Sequence, residues 1–404
     1  VSTPEISVST RHLSLALLAL ALGGFAIGTT EFVTMGLLPD IAEGIDESIP
    51  TTGHLITAYA FGVVIGAPVI VSLGARLPKK ELAIGLILAL GVGNALTAVS
   101  SGYLPVMAAR FVAGLPHGAY FGVASLLAAS LVRPEYRGRA VSSVMLGLSV
   151  ALVAGVPVSN LLGQQLGWRS AYWAVLGIAA LAAAMIVAFV PHSPANLDAT
   201  LRGELAALKR PQVLFAVAAG LVGFGGLFAM YSYIAPIVTD VTDLSRGWIN
   251  VFLLVFGIGS VFGSWAAGVL ADWDIERSLL GGFAGTVVVL AAFYFSAGVT
   301  VPALVLVFLV GSLGSIVAIN LQMRLMDAAG DAQMLGAALN HSALNIANGL
   351  GAWLGGVVIA AGHGYRATSL VGIGLAAAGL VIFAIGLAAD RRSAHNSVSA
   401  DLHA

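Results

Sequence analysis

Few side chains in this sequence are equipped for chemistry, and they stand far apart along the chain. Glu31 and Arg110 are the two formally charged residues set well inside long apolar stretches. A charge in hydrocarbon costs on the order of 3 kcal/mol on insertion scales, so such residues are retained for packing or for function. As a structural ion pair they would fix two helices against each other. As a functional pair they would make a proton-linked site. Burial drives a carboxyl toward its neutral form and a nearby guanidinium drives it toward its charged one, so a movement that alters their separation loads or releases a proton. Glu31 is then the carrier, and Arg110, which does not usefully titrate, biases it or holds a polar or anionic group. His117 follows Arg110 by seven residues on the same helical face, with Gly114 leaving space between them. It suits proton relay or ligand binding, and equally a neutral ring satisfied by a neighbouring helix.

A second set of candidates lies late in the chain. His341, Asn345 and Asn348 recur at helical spacing and form one polar stripe, with Asn340 beside it. Such a stripe avoids lipid, so it lines a cavity or hydrogen-bonds a neighbouring helix. Phe224, Phe228 and Tyr231 share another face, with Ser232 adjacent. Aromatic walls with a few polar groups suit an amphipathic ligand, although the same spacing serves plain packing. Asn160, Gln164, Asn320 and Gln322 are weaker candidates, and His54 reads as an interfacial residue. No paired carboxylates, metal-ligand cluster or activated nucleophile stands at membrane depth, and His117 and His341 come from separate halves, which argues against an intramembrane enzyme. With no cysteine, disulfides and thiol chemistry are excluded. No cofactor or metal is called for.

These residues must be positioned by membrane-spanning helices. The 404 residues are 59% hydrophobic and only 9% charged, against about 25% charged in soluble domains. A net charge of −1 carries no nucleic-acid signal. Hydropathy, broken at charge clusters and Pro/Gly turns, predicts twelve spans: 13–38, 52–74, 82–99, 102–131, 138–165, 169–191, 212–238, 247–271, 278–297, 300–323, 333–361 and 366–388. The split near residue 298 rests on Gly298 and Pro302. With the N-terminus in the cytoplasm, Arg11, Arg76, Lys79, Lys80, Arg133, Arg137, Arg139, Arg202, Lys209, Arg210, Arg277, Arg324, Arg391 and Arg392 fall on the cytoplasmic side, 14 of the 18 basic residues. Arg169, Arg246 and Arg366 fall outside, where the first loop is acidic with Asp40, Glu43, Asp46 and Glu47. That asymmetry is the positive-inside pattern for an even number of spans with both termini cytoplasmic. The expected domains are a tail (1–12), a six-helix bundle (13–191), a cytoplasmic linker (192–211), a second bundle (212–388) and a tail (389–404). Within the linker, Asp198–Lys209 is either a short interfacial helix or a plain connection.

The two halves repeat. Gly167-Trp168-Arg169 returns as Gly364-Tyr365-Arg366, and 366 − 169 = 197. The same offset brings Pro39 onto Pro236, Gly114 onto Gly311 and Val71 onto Gly268. It places Phe228 opposite Glu31 and Val307 opposite Arg110, so any coupling chemistry lives in the first half. Parallel repeats place a site at their interface near the midplane.

Twelve spans, a six-plus-six repeat and several loop motifs resemble the major facilitator superfamily over essentially the whole chain. Gly268-Val-Leu-Ala-Asp272-Trp-Asp274-Ile-Glu276-Arg277 is similar to the family's glycine–acid–base signature after its second span. The first-half copy, with Gly74, Arg76, Lys79 and Lys80, has Ala75 where the family has aspartate. Arg110 through Gly118 resembles the family's arginine–glycine motif, and the Gly147–Gly163 segment with Gly155 and Pro157 resembles the glycine–proline motif of its drug:proton antiporters. The run Thr30-Glu31-Phe32-Val33-Thr34-Met35-Gly36-Leu37-Leu38-Pro39, with Pro116-His117-Gly118, is most similar to bacterial sugar-efflux and chloramphenicol-resistance exporters. The resemblance implies an all-α fold of two pseudo-symmetric six-helix bundles in the bacterial inner membrane, monomeric by family default. It implies proton-driven export of a drug or sugar by alternating access, with Thr34 and Met35 on the substrate path. Direction does not follow from fold, so an importer of a small metabolite is the alternative; a channel is disfavoured by the two-half design.

Overall fold

The computed structural model describes residues 10–193 and 206–402. Among them there is no strand; the chain is a succession of long helices. In order these are α1 (Thr10–Gly36), α2 (His54–Gly74), α3 (Lys79–Val99), α4 (Tyr103–Ser130), α5 (Arg137–Val150, continued by Val156–Leu166) and α6 (Arg169–Phe189). The second series is α7 (Pro211–Gly223, continued by Gly225–Tyr231), α8 (Gly247–Trp273), α9 (Ile275–Ser296), α10 (Thr300–Ala329), α11 (Gln333–Val358) and α12 (Ala367–Leu402). Eleven helical stretches are long and apolar enough to cross a membrane. One of them, Thr300–His363, runs for 64 residues and holds both α10 and α11, which reverse at Gly330 (φ 61°). The fold therefore has twelve spans in two bundles of six. Helices suit hydrocarbon because every backbone donor finds its acceptor within the segment.

Two interruptions have local causes. Pro157 has no N–H to offer Val153, and the preceding turn widens until the Val156 N–H reaches the Ala151 carbonyl five residues back. The expected unbroken span 212–238 is instead broken after Gly223, where Phe224 sits among Gly223, Gly225 and Gly226, and again before Ile234–Pro236. Glycine gives the helix little reason to hold its register there. The acidic loop after α1 carries two short helices, Leu38–Gly44 and Ile49–Thr52. Most of the segment 198–209, read as a possible interfacial helix, lies outside the described residues.

The 197-residue offset is built into the packing of the two bundles. An atom added at Gly62 would meet the Phe111 carbonyl, at Gly66 that of Leu115, and at Gly114 that of Tyr59. In the second half Gly259 faces the Phe308 carbonyl, Gly263 that of Ser312, and Gly311 that of Phe256. Each member of the second set lies 197 residues after its counterpart. The α2–α4 and α8–α10 crossings are thus the same close, glycine-lined crossing made twice, the usual way helices approach in lipid. Gly167 and Gly364 likewise share a left-handed turn, with φ of 88° and 74°.

Candidate functional site

Arg110 is completely buried, and its surroundings differ from the expected ion pair. Its Nη1 donates to the Thr30 hydroxyl at 2.9 Å and its Nη2 to the Thr30 carbonyl at 3.1 Å. The Thr30 hydroxyl passes its own proton to Asn94 Oδ1 at 2.6 Å. The guanidinium lies over the rings of Tyr59 (4.4 Å to the centroid) and Tyr172 (5.5 Å). Arginine stacks well on aromatic faces, so neutral partners hold this cation, and Glu31, one residue from Thr30, forms no ion pair with it. The adjacency of α1 and α4 was legible; the carboxylate's orientation was not. Thr30 turns toward α4, whereas its neighbour Glu31 turns to the cavity.

That cavity lies between the halves, with about 840 Å³ of empty space when the open solvent at its mouth is included. Glu31 and Phe32 of α1, His117 of α4 and Met145, Leu148 and Leu152 of α5 form its first-half wall. The second-half wall carries Phe224, Phe228 and Tyr231 of α7, Phe256 and Ser260 of α8, Ser315 of α10 and His341, Asn345 and Asn348 of α11. Both stripes read from the sequence thus converge on one space. Tyr231 stacks on Phe256 at 4.1 Å between centroids. Part of the polar lining already has partners: Ser260 donates to the Gly311 carbonyl at 3.4 Å and Asn345 to the His341 carbonyl at 3.0 Å. Among the described residues Glu31 is the one carboxyl in the lining, and no lysine or arginine joins it.

Other expected site residues lie elsewhere. Thr34 is buried against the Tyr172 hydroxyl at 2.9 Å, Met35 is 41% exposed, and Ser232 is exposed beyond the end of α7, so none of the three lines the cavity. Asn340 donates to the Ala318 carbonyl at 3.0 Å, and Asn320 to that of Ile316 at 2.9 Å; both are packing groups. Asn160 abuts Gly36, and His54 meets the Tyr103 hydroxyl at 2.9 Å near the surface.

His117 and His341, assigned to separate halves, are brought together: His117 Nε2 and His341 Nδ1 are 3.2 Å apart. Further bonds join the halves at Ser149–Ser264 (2.8 Å), Gln322–Ser125 (2.5 Å) and Ser342–Val64 (3.4 Å). Beyond them Gly138 N–H donates to Asp272 Oδ1 at 2.6 Å, Arg139 pairs with Asp272 at 3.2 Å, and Arg137 reaches Asp327 at 2.6 Å and Gln333 at 3.0 Å. Among the described residues, every hydrogen bond between the halves lies at mid-depth or toward the end carrying the basic loops. These bonds close the cavity at the basic end.

The loop-motif residues divide between the halves. Asp272 makes the cross-half contact just described, while its counterpart Ala75 has no group to offer. Gly268 lets α8 approach Ser142 and Arg139 closely. Arg277 pairs with Asp274 at 3.2 Å and lies over Trp273. Arg76 is exposed, the Lys79 N–H donates to Ser193 Oγ at 3.1 Å, and Lys80 Nζ donates to the Val187 carbonyl at 2.8 Å, tying the α2–α3 turn to the end of α6. Gly155 packs on Phe25 and Thr29 of α1.

Twelve spans in two repeated bundles, with a cavity between them closed at one end, define a membrane transporter of small molecules. The chain belongs to the major facilitator superfamily: a family model of that description matches residues 20–339. It is 36% identical over 376 residues to the inner membrane transport protein YdhP of Escherichia coli, covering 93% of this chain and 96% of that one. It is 35% identical over 364 residues to a chloramphenicol resistance protein of Streptomyces lividans, covering 89% and 91%. Among solved structures, the superfamily transporter FucP in the outward conformation superposes with a TM-score of 0.73 at 16% identity, over 93% of this chain and 99% of that one, a likeness of fold alone.

Proposed function

We propose that the protein is a proton-coupled exporter that moves small amphipathic molecules by alternating access. The observation that carries this reading is the composition of the two cavity walls. The first half offers a single carboxyl, Glu31, and the second an aromatic and amide surface. An exporter of this kind needs one group that exchanges a proton with the medium and one surface that holds cargo without many fixed polar contacts. Because aromatic and aliphatic side chains make up most of the lining, the surface suits a neutral or cationic aromatic better than a sugar, whose hydroxyls demand more donors and acceptors. The resistance relative supports export of such cargo.

In this reading residues 13–191 and 212–388 are the two rocking units, and the protein works as a monomer in the bacterial inner membrane. Both termini are cytoplasmic, because the basic loops gather at one end. The conformation is then outward-facing, with Glu31 on the cavity wall and reached from the outer medium. Glu31 takes a proton there and yields it when the cavity opens inward, while Arg110 holds the Thr30 turn that aims it and His117 stands beside it. Inward passage of each proton supplies roughly 2.3 kcal/mol per 100 mV of membrane potential. Gly155 and Pro157 bend α5, and Gly268, Asp272 and Arg277 set the inner closure, with Arg76, Lys79 and Lys80 bracing the first half. The test is transport of chloramphenicol by the purified protein in liposomes under an imposed pH gradient. Movement against its own gradient, abolished by collapsing the pH difference, is expected. Movement indifferent to the pH gradient would remove proton coupling from the account.

A further inference from the structure

Among the described residues, the interface between the halves contains one contact unlike the others. Ser149–Ser264 and Ser125–Gln322 join groups that do not titrate near neutrality. His117 and His341 join ring to ring, with centroids 5.1 Å apart. On its other side, His117 Nδ1 meets the Tyr59 hydroxyl at 3.0 Å. Phe121 stacks on His341 at 4.2 Å and 9°. The remaining nitrogen, His341 Nε2, is buried without a partner in a ring that lines the cavity. A buried donor or acceptor left unpaired is costly, which makes this atom the open end of a chain running Tyr59–His117–His341.

Four ring nitrogens in a row accept protons in a fixed order. With two protons, both rings are neutral and the central bond runs one of two ways. Either His117 Nε2–H donates to His341 Nδ1 while the Tyr59 hydroxyl donates to His117 Nδ1, or every direction is reversed. In the reversed arrangement His341 Nδ1–H donates to His117 Nε2, His117 Nδ1–H donates to the Tyr59 oxygen, and His341 Nε2 is bare. A third proton enters there from the cavity, and no hydrogen bond is lost. A fourth has only His117 Nε2 left, the bare nitrogen inside the joint. Its arrival sets two N–H groups face to face on two cationic rings, and the bond between the halves is gone.

We propose that Tyr59, His117 and His341 form a proton-binding site shared by the two halves, separate from Glu31, which stores one proton while the basic end is closed and releases the halves when a second arrives. The groups around it fit this assignment. Glu31 of α1 and Tyr231 of α7 share the cavity, Tyr59 faces from α2, and Arg110 lies on the far side of Tyr59, over its ring. The neighbouring stretches of α3, α5, α8 and α10 carry no titratable residue, since their charged groups stand at the basic end. Among the described residues no carboxylate pairs with either histidine, so nothing there neutralises two imidazoliums except separation and water. The inference requires that the halves part at the basic end, and it is independent of the role given to Glu31.

The natural absence of cysteine makes the test direct. Spin labels on Glu135→Cys and Asp331→Cys, both exposed at the basic end on opposite halves, report the separation of the halves in the full-length protein in nanodiscs. Between about pH 8 and about pH 5, where histidine titrates, the separated population should rise at least about fivefold, the low end of coupling between sites. His117→Gln and His341→Asn each keep a hydrogen-bonding atom near the joint nitrogen without the titration, and each should hold the rise under about 1.5-fold. Either variant alone suffices, so a folding failure in one leaves the other. A wild-type protein with no rise, or glutamine and asparagine variants that keep it, would each overturn the proposal.

Discussion

Replacing Asp272 should loosen the closed end by an amount that the structure allows to be worked out. Its carboxylate accepts the Gly138 N–H at 2.6 Å, at the start of α5, and its other oxygen stands 3.2 Å from Arg139 Nε. The aspartate side chain is 8% exposed and the arginine 52%. A hydrogen bond to a charged acceptor contributes about 1.5–3 kcal/mol and a neutral one about 1, so Asp272→Asn gives up about 1 kcal/mol at Gly138. The half-exposed arginine adds only about 0.5 kcal/mol after screening. The sum of about 1.5 kcal/mol shifts the ratio of open to closed basic ends about tenfold, at about 1.4 kcal/mol per decade. Asp272→Ala removes the acceptor entirely and should shift it about a hundredfold, for a loss of about 3 kcal/mol. The first half has Ala75 at the matching place, so no second carboxylate compensates. The assay is the distance distribution between labels at Glu135→Cys and Asp331→Cys. Unchanged distributions in both variants, in proteins that melt like the wild type, would refute the assignment of Asp272 to the closure.

Other outcomes follow from the same geometry. Gly62→Ala and Gly259→Ala would each place a carbon 2.3 and 2.2 Å from the carbonyls of Phe111 and Phe308; overpacking of this kind costs about 1–3 kcal/mol, and both should lower the melting temperature by similar amounts, which a thermal melt of the two variants checks. Arg110→Lys should destabilise the protein, because an ammonium cannot bond Thr30 twice while lying flat against two tyrosines; a lysine variant with wild-type stability would count against that cage. Tyr231→Ala and Asn345→Ala should weaken binding of aromatic ligands unequally, and calorimetry with a panel that included chloramphenicol would expose a misplaced site if no affinity moved.

The span architecture was largely legible because it depends on averages over about twenty residues. Expected limits such as 52–74, 169–191 and 247–271 fall within two residues of α2, α6 and α8 at each end. The glycine and proline used to split 278–297 from 300–323 do stand where α9 gives way to α10. The repeat was legible as an offset, and its cause became visible only in the paired crossings of Gly62 with Phe111 and Gly259 with Phe308. What the sequence withheld was orientation within a helix turn. Thr30 and Glu31 are neighbours, yet one bonds Arg110 and the other faces the cavity. Tyr59 and Tyr172 gave no signal, because tyrosines are ordinary in spans and their partner lies on another helix. His117 and His341 were each singled out, but 224 residues separate them, and no local pattern announces a contact across two halves.

The central claim is that Glu31 carries the coupled proton, and Glu31→Gln examined in liposomes by two assays addresses it most directly. The amide keeps the shape of the side chain and cannot give up a proton in the working range. The account predicts that the variant still exchanges labelled chloramphenicol for unlabelled across the bilayer when no gradient is applied, and no longer accumulates it when a pH gradient is imposed. Accumulation by Glu31→Gln at the wild-type level under the same gradient would contradict it.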